Sequence, residues 1–393
     1  MMRRLGLGAA LVLALVALAR PAAAQSVLAA GGLGIPVEPV DGRGRGMGSV
    51  GPGLFGTAVI PGDPAAALDL LVPTLTFSMQ SSWLTVDQSG ERSNQSAIRF
   101  PAIGVAYPVR DWGTLTATYG GFLDQRWTFE RDRQLDLGAG SRTAVTDAFV
   151  SDGGISAVRL GFAHRVSRSL GLGASVGGYT GNVLRRFSRT FDSLGVNVPI
   201  EPFQTGGRWG YSGMLADLGV VLEVPAVARA AATLSWSSDL SAQPDSTTAG
   251  AKKSYDLPLQ LRAGVTGQLA PGLSASLSGG YADWTGVGDD LARTTSAGAT
   301  TSLGAGIEWD RATLFGRGLP IRLGWHRTEL PFQFNGDDPV ESVLAGGIGL
   351  LLARTGTVPL ARIDFAVERG RRVGGSLGED LWRSTVTFRA AGF

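Results

Sequence analysis

From residue 73 onward the chain alternates apolar and polar side chains, segment after segment. Leu257, Leu259, Leu261, Ala263, Val265 and Leu269 share one parity, while Gln260, Arg262, Thr266 and Gln268 hold the other. Ile321, Leu323 and Trp325 alternate with Arg322, Gly324 and His326, and Ile363, Phe365 and Val367 alternate with Arg362, Asp364 and Glu368. A period of two gives an extended strand one apolar and one polar face. A chain built this way is a sheet protein, and its apolar faces need a common place to go.

Fourteen such segments lie near 73–87, 95–109, 112–130, 154–167, 169–188, 208–224, 228–240, 255–269, 272–286, 300–310, 318–330, 341–354, 358–369 and 381–393. The connections sort by length. After even-numbered segments they are short, as at Arg110-Asp111, Ser167-Arg168, Pro225-Ala226-Val227 and Thr355-Gly356-Thr357, with the tenth-to-eleventh link a little longer. After odd-numbered segments they read as long and polar, at 88–94, 131–153, 189–207, 241–254, 287–299, 331–340 and 370–380. Short turns on one rim, long loops on the other and an even strand number describe an all-β, 14-stranded antiparallel transmembrane β-barrel of the bacterial outer membrane. A soluble sandwich has no reason to sort its loops, and it would carry more charge than the 17 % found here. The nine tryptophans fall mostly toward segment ends, where an interfacial belt places them.

Arg3 and Arg4 precede an apolar run from Leu5 to Ala19, and Ala22-Ala23-Ala24 offers a cleavage site before Gln25. Residues 1–24 thus have the order of a secretory signal peptide. The run is too short for a spanning helix, which needs about 20 residues. Removing 1–24 takes three arginines and no acid, which leaves 32 basic against 33 acidic residues. Nucleic-acid binding then has no electrostatic basis. Zero cysteines exclude disulfides, thiolate metal sites and a lipid-modified cysteine, and two distant histidines exclude a zinc helix. No cofactor and no metal are expected.

Residues 25–72 do not alternate and are rich in Gly, Ala and Pro. A barrel of fourteen strands is wide enough to need filling or to conduct water. This stretch is expected to fold inside the lumen as a hatch, with residues 73–393 as the barrel.

Arg45-Gly46-Met47-Gly48, then Ala58 and Gly62-Asp63-Pro64-Ala65-Ala66, resemble the hatch of the outer-membrane long-chain fatty-acid and aromatic-hydrocarbon transporters (FadL type). Leu257-Pro258, Asp283-Trp284 and the ending Glu368-Arg369-Gly370-Arg371-Arg372, Glu379 and Trp382 are similar to that family as well. Leu71-Val72-Pro73 stands where the family carries Asn-Pro-Ala-Gly. The resemblance implies a fourteen-strand barrel with an N-terminal hatch, hatch residues Arg45, Gly46, Met47, Gly48, Asp63 and Pro64, and a kinked third strand near Gly120.

Two enzyme motifs occur without their context. Gly46-Met47-Gly48-Ser49-Val50-Gly51 fits a dinucleotide fingerprint, but Pro52, Gly53 and Gly56 oppose the helix that must follow. Gly173-Ala174-Ser175-Val176-Gly177 fits a nucleophile elbow, yet Ser175 lies inside a strand. The inward parity carries Arg99, Arg159, Arg165, Asp217, Glu223, Arg262, Glu308, Asp310, Arg322, Asp364 and Glu368, a mixture of signs that reads as a paired lattice.

One seam in the wall reads as weak. A two-residue turn at Arg110-Asp111 sets Pro101 opposite Gly120, beside Gly121. Proline cannot donate to a ladder, and glycines invite a bulge. Pro101, Gly120 and Gly121 are therefore expected to shape a lateral portal. Phe122, Trp127, Phe129 and Phe149, around the 131–153 connection, are candidates for a hydrophobic ligand pocket. The expected function is passive uptake of hydrophobic molecules such as long-chain fatty acids, by a monomer in outer-membrane lipid that barrel-assembly machinery inserts. The alternatives are a binding or assembly barrel, for example of a secretion system, and a general porin.

Overall fold

The computed structural model describes residues 26–56, 58–68, 70–88, 91–138, 141–191, 201–291, 296–356 and 358–392. Residues 1–24, where a leader is expected, and Phe393 lie outside the described residues. Fourteen strands form the wall. They are β1 (Thr74–Gln88), β2 (Glu91–Val109), β3 in two pieces (Gly113–Asp124 and Trp127–Gly138), β4 (Ser141–Arg165), β5 (Leu170–Phe191) and β6 (Phe203–Val224). Then follow β7 in two pieces (Ala228–Ser237 and Leu240–Pro244), β8 in two pieces (Lys253–Tyr255 and Gln260–Ala270), β9 (Leu273–Asp283) and β10 (Ala299–Trp309). The last are β11 (Ile321–Glu329), β12 (Val340–Thr355), β13 (Val358–Gly374) and β14 (Leu377–Ala391). Each strand pairs antiparallel with the next, and β1 pairs with β14 from Thr74↔Ala391 to Gln88↔Leu377, which closes the barrel.

The period of two sorts residues as a barrel in lipid demands. Leu160, Leu172, Val176, Leu218, Leu277, Leu323 and Leu344 are exposed on the outer surface. Ser175, Asp217, Thr233, Thr266, Ser276, Arg322, Asp364 and Thr385 point inward and are buried. Apolar-out and polar-in is the inverse of a soluble sheet protein. Trp83 faces Trp382 across β1 and β14 on the outer surface, and the Arg369 guanidinium lies 4.8 Å over the Trp382 ring.

Several connections expected to be long loops are paired strand instead. Gln88 and 91–94 belong to the paired strands β1 and β2, 131–138 and 141–153 to β3 and β4, and 370–374 and 377–380 to β13 and β14. Where a strand rises past the apolar band, both faces meet water. The alternation fades there while the ladder continues. Asp310, expected inside, lies exposed one residue beyond β10.

The described residues of 26–73 supply none of the fourteen wall strands, although Ile35–Pro36 pairs with β3. They contain short 3₁₀ turns at Val27–Gly31 and Pro64–Ala67, a two-residue strand Ile35–Pro36, and α1 (Gly42–Gly46). The Asp41 side chain caps α1 by accepting from Gly44 N at 2.9 Å. Described residues along the segment contact inward-facing side chains of the wall, as detailed next.

Candidate functional site: the filled lumen and the β2–β3 seam

Charged groups pin residues 26–46 to β10–β14. Arg43 grips Glu308 with Nε at 3.0 Å and Nη2 at 2.5 Å, and Glu308 also accepts from Arg322 Nε at 2.6 Å. Arg322 and Arg362 both lie 2.8 Å from Asp364. Arg45 pairs with Glu38 at 3.2 Å and approaches Glu368 at 3.7 Å. Arg383 bridges Glu368 and Glu341, and Glu341 also holds Arg372 and His326. At the start of the segment, Ser26 Oγ and Val27 N donate to Glu379. Arg159–Asp217, Arg165–Glu223, Glu308–Arg322–Asp364 and Glu368–Arg383 make the paired lattice expected of them, whereas Arg262 donates to the neutral Gln260. Buried pairs are costly to half-remove, because the remaining charge stays desolvated.

Glycines let the segment lie directly on the wall. Gly48 takes φ 76°, a left-handed value that favours glycine. A methyl group on Gly324 would fall 2.1 Å from Gly48 N, and one on Gly306 would fall 2.4 Å from Met47 O. Gly46 meets the Cα of Gly347, where an added Cβ would sit at 3.1 Å. Met47 and Arg45 are buried almost completely. The Arg45-Gly46-Met47-Gly48 motif thus seats on β10, β11 and β12. Asp63 and Pro64 lie deeper in the chain, next to the turn Pro64–Ala67 that packs against β5 and β6 through Gly173 and Gly219.

The β2–β3 ladder runs from Val109↔Gly113 to Ala102↔Gly120 and stops. The facing register differs by one from the expected one, so Pro101 is not opposite Gly120. A three-residue 3₁₀ turn, Arg110–Trp112, replaces the two-residue turn, with Arg110 at φ 34°. Pro101 lies where β2 bulges against β1, between the rungs Ser78↔Ala102 and Gln80↔Arg99. β3 bulges at the same level, between Gly121↔Ser156 and Leu123↔Ile155. Above Ala102, β2 pairs with β1, and the upper piece of β3 pairs with β4. Among the described residues no ladder joins the two upper pieces. Cβ atoms at Gly120 and Gly121 would meet Pro61, Pro39 and Val37 at 2.8 to 3.1 Å. These glycines are therefore contact points for the N-terminal segment, beside the place where the wall ladder ends.

Asp124-Gln125-Arg126, the break between the two pieces of β3, organises the gap. Asp124 accepts from Arg126 Nε at 3.0 Å and Nη2 at 2.7 Å. Arg126 Nη1 then donates across the gap to the Ile98 carbonyl of β2 at 2.9 Å. Arg99 of β2 stands 4.0 Å from Asp124 and donates to Gln80 at 2.6 Å. Sequence reading passed over this triplet. Its signal was three consecutive polar residues in an otherwise alternating strand.

The four candidate pocket aromatics do not line one pocket. Phe122 enters the lumen and packs on Tyr179 (4.5 Å) and Trp284 (6.2 Å), in an apolar cluster with Leu33, Leu215, Leu240 and Phe332. Trp127 packs against Val27, Leu28, Ile35 and Leu377. Phe129 and Phe149 face each other across β3 and β4 at 6.4 Å, and the row continues to Phe187 and Phe203 at 4.8 and 6.1 Å. A lumenal cavity of about 100 Å³ lies between Arg45, Arg99, Arg262, Tyr281 and Trp284. That volume holds a few waters and is well short of a drug-sized ligand site.

The enzyme motifs have structural partners. Ser175 Oγ donates to Asp217 at 2.6 Å, and Asp217 also accepts from Arg159 and Ser235. His164 bonds the Trp112 carbonyl and His326 bonds Glu341, so neither serves Ser175. The glycine-rich 46–51 stretch follows α1 instead of opening a helix.

No protein-family model matches the chain, and no curated protein matches it in sequence. Solved structures do match. A Pseudomonas aeruginosa FadL homologue superposes with a TM-score of 0.59 at 13 % identity, over 91 % of this chain and 99 % of that one. The Pseudomonas putida toluene transporter TodX gives 0.56 at 13 % identity, over 92 % and 99 %. The CymD monoaromatic hydrocarbon channel gives 0.55 at 13 % identity, over 92 % and 98 %. The likeness is one of fold and spans nearly the whole of each molecule. The resemblance read from short sequence matches and the shape of the folded chain agree: this is the fold of the FadL-type channels.

Proposed function

We propose that the chain is a monomeric bacterial outer-membrane channel for passive uptake of hydrophobic molecules such as long-chain fatty acids. In this reading residues 1–24 direct export, residues 25–72 are the hatch, and cargo leaves sideways between β2 and β3. The observation that carries it is the pairing of a filled lumen with an interrupted wall. A straight aqueous path down the barrel meets the N-terminal segment and its ion pairs. The seam beside Phe122 lacks a backbone ladder above Ala102↔Gly120. Hydrophobic cargo gains by avoiding the aqueous periplasm, since each exposed methylene costs about 0.8 kcal/mol. The aromatic row Phe129, Phe149, Phe187 and Phe203 is the capture surface in this reading, and the Phe122 cluster lies further along the path. The fold shared with a toluene transporter and a monoaromatic hydrocarbon channel supports hydrophobic cargo. The filled lumen disfavours a general porin, and the engaged Ser175 disfavours an esterase.

The test is uptake of a labelled long-chain fatty acid, with toluene in parallel, by cells that lack their own transporter and express this chain. Surface protease accessibility establishes insertion. Uptake above the empty-vector control is expected. A correctly inserted barrel that moves neither compound would reject the transport reading and leave an assembly or binding role.

A further inference from the structure

A β-strand has two edges, and the edges of β3 at Phe122–Arg126 are both occupied. One edge pairs with β4 through Leu123↔Ile155 and Asp124↔Gly154, and Gln125 N donates to the Gly153 carbonyl at 3.1 Å. The other edge serves β2 lower down. Here it pairs with the N-terminal segment. Ile35 faces Asp124 and Pro36 faces Leu123 in antiparallel register. Val37 N donates to the Phe122 carbonyl at 2.8 Å, and Ser26 N donates to the Arg126 carbonyl at 3.3 Å. The stretch of β2 beside it, Ser96–Phe100, has its ladder to β1, and the Arg126 guanidinium reaches the Ile98 carbonyl from the β3 side.

An edge can carry one partner at a time. We propose that the N-terminal segment and β2 are alternative ladder partners for Phe122–Arg126 of β3, and that the seated segment keeps the β2–β3 seam unzipped. With the segment seated, the lumen is filled and the wall is parted. With Ile35–Val37 withdrawn, the freed edge of β3 lies next to the unpaired edge of β2, and backbone groups facing lipid must find partners. The wall then closes as the lumen opens. Asp124 is the pivot, because its carboxylate aims Arg126 at β2 while its backbone pairs with Ile35. The proposal deepens the lateral-release reading and rests on it only for the link to transport.

The test is backbone amide exchange at Ser96 and Ile98, the alternate residues of this stretch whose backbone groups face β3 and not β1, in the full-length barrel reconstituted in lipid. Val37→Pro deletes the donor to Phe122, and Gly324→Val unseats the segment from the opposite wall. The double variant Pro36→Cys/Leu123→Cys, oxidised, locks the facing pair, and its disulfide is unambiguous because the chain has no cysteine. The β2 amides should exchange quickly in the wild type and in the locked form. They should slow by at least about tenfold in the two releasing variants. Slow exchange in the wild type, or fast exchange in both releasing variants, overturns the proposal. Lost fatty-acid uptake with unchanged β2 exchange overturns partner exchange and spares lateral release. Slowed exchange with unaltered uptake does the reverse.

Discussion

Arg43 and Glu308 form a two-nitrogen grip between the N-terminal segment and β10, with distances of 3.0 and 2.5 Å. Replacing Arg43 with Met keeps the aliphatic length and strands a carboxylate that retains only Arg322 as a close partner. Breaking one side of a buried pair costs about 3–5 kcal/mol. The Arg43→Met variant should therefore expose residues 26–56 to protease while the wall stays intact. It should also show higher ion conductance in planar bilayers than the wild type. A variant as closed and as protease-resistant as the wild type would show that the grip does not hold the segment.

The wall glycines separate seat from spacer. Gly324→Ala places a methyl 2.1 Å from Gly48 N, whereas Gly346→Ala finds its nearest neighbours at 3.9 Å. The first should raise conductance and lower the midpoint of thermal unfolding of the segment, and the second should leave both within about 0.5 kcal/mol of the wild type. Equal behaviour of the two variants would remove the glycine seat from the argument.

Asp63 gives the segment a pH dependence. Burial pushes its carboxyl up from the ordinary 3.8 to about 6, against the opposing pull of Arg229 and the Ala65 and Ala66 amides. The folded value lies above the unfolded one, so the seated form holds the proton more tightly. The stability this group confers is full below about pH 4 and is lost as the pH rises through about 6. A rise from 3.8 to about 6 corresponds to roughly 3 kcal/mol. Amide protection across residues 58–68 should fall between pH 5 and pH 8. In Asp63→Asn it should stay level, and a wild-type profile as flat as that variant's would refute the assignment.

Asp217 and Ser175 are partners of unequal weight. Ser175→Ala removes one neutral donor from a carboxylate with two others, and should cost about 1 kcal/mol with uptake unchanged. Asp217→Ala leaves Arg159 buried without its 2.9 Å partner and should cost about 3–5 kcal/mol. Denaturation of the two purified variants measures the difference. Ester hydrolysis that vanishes in Ser175→Ala would return the enzyme reading to contention.

Strand number and rim assignment were legible because the apolar outer face forces alternation on each spanning segment. The hairpin extensions of β3–β4 and β13–β14 were not, because a strand in water on both faces carries no such pattern. The β2–β3 register differs by one residue from the expected one, since Arg110–Trp112 makes a three-residue turn in place of a two-residue one. Gly120 and Gly121 drew notice as defects in the wall. Their neighbours Pro61, Pro39 and Val37 are about 60 to 85 residues away in sequence, and no local pattern reports such a meeting. The Phe122 cluster gathers Leu33, Tyr179, Trp284 and Phe332 from five parts of the chain, which hides it in the same way.

The closing ladder between Thr74 and Ala391 has a topological consequence. In the proposed reading, the segment that precedes β1 ends up enclosed by strands made after it, pinned to β10–β14 and paired with β3. The staves must therefore be hooped around contents already in place. Refolding that zips β1 to β14 first would strand those contents outside a finished cask. Such a product would have intact strands and a vacant interior, and it could mature only by reopening its last joint.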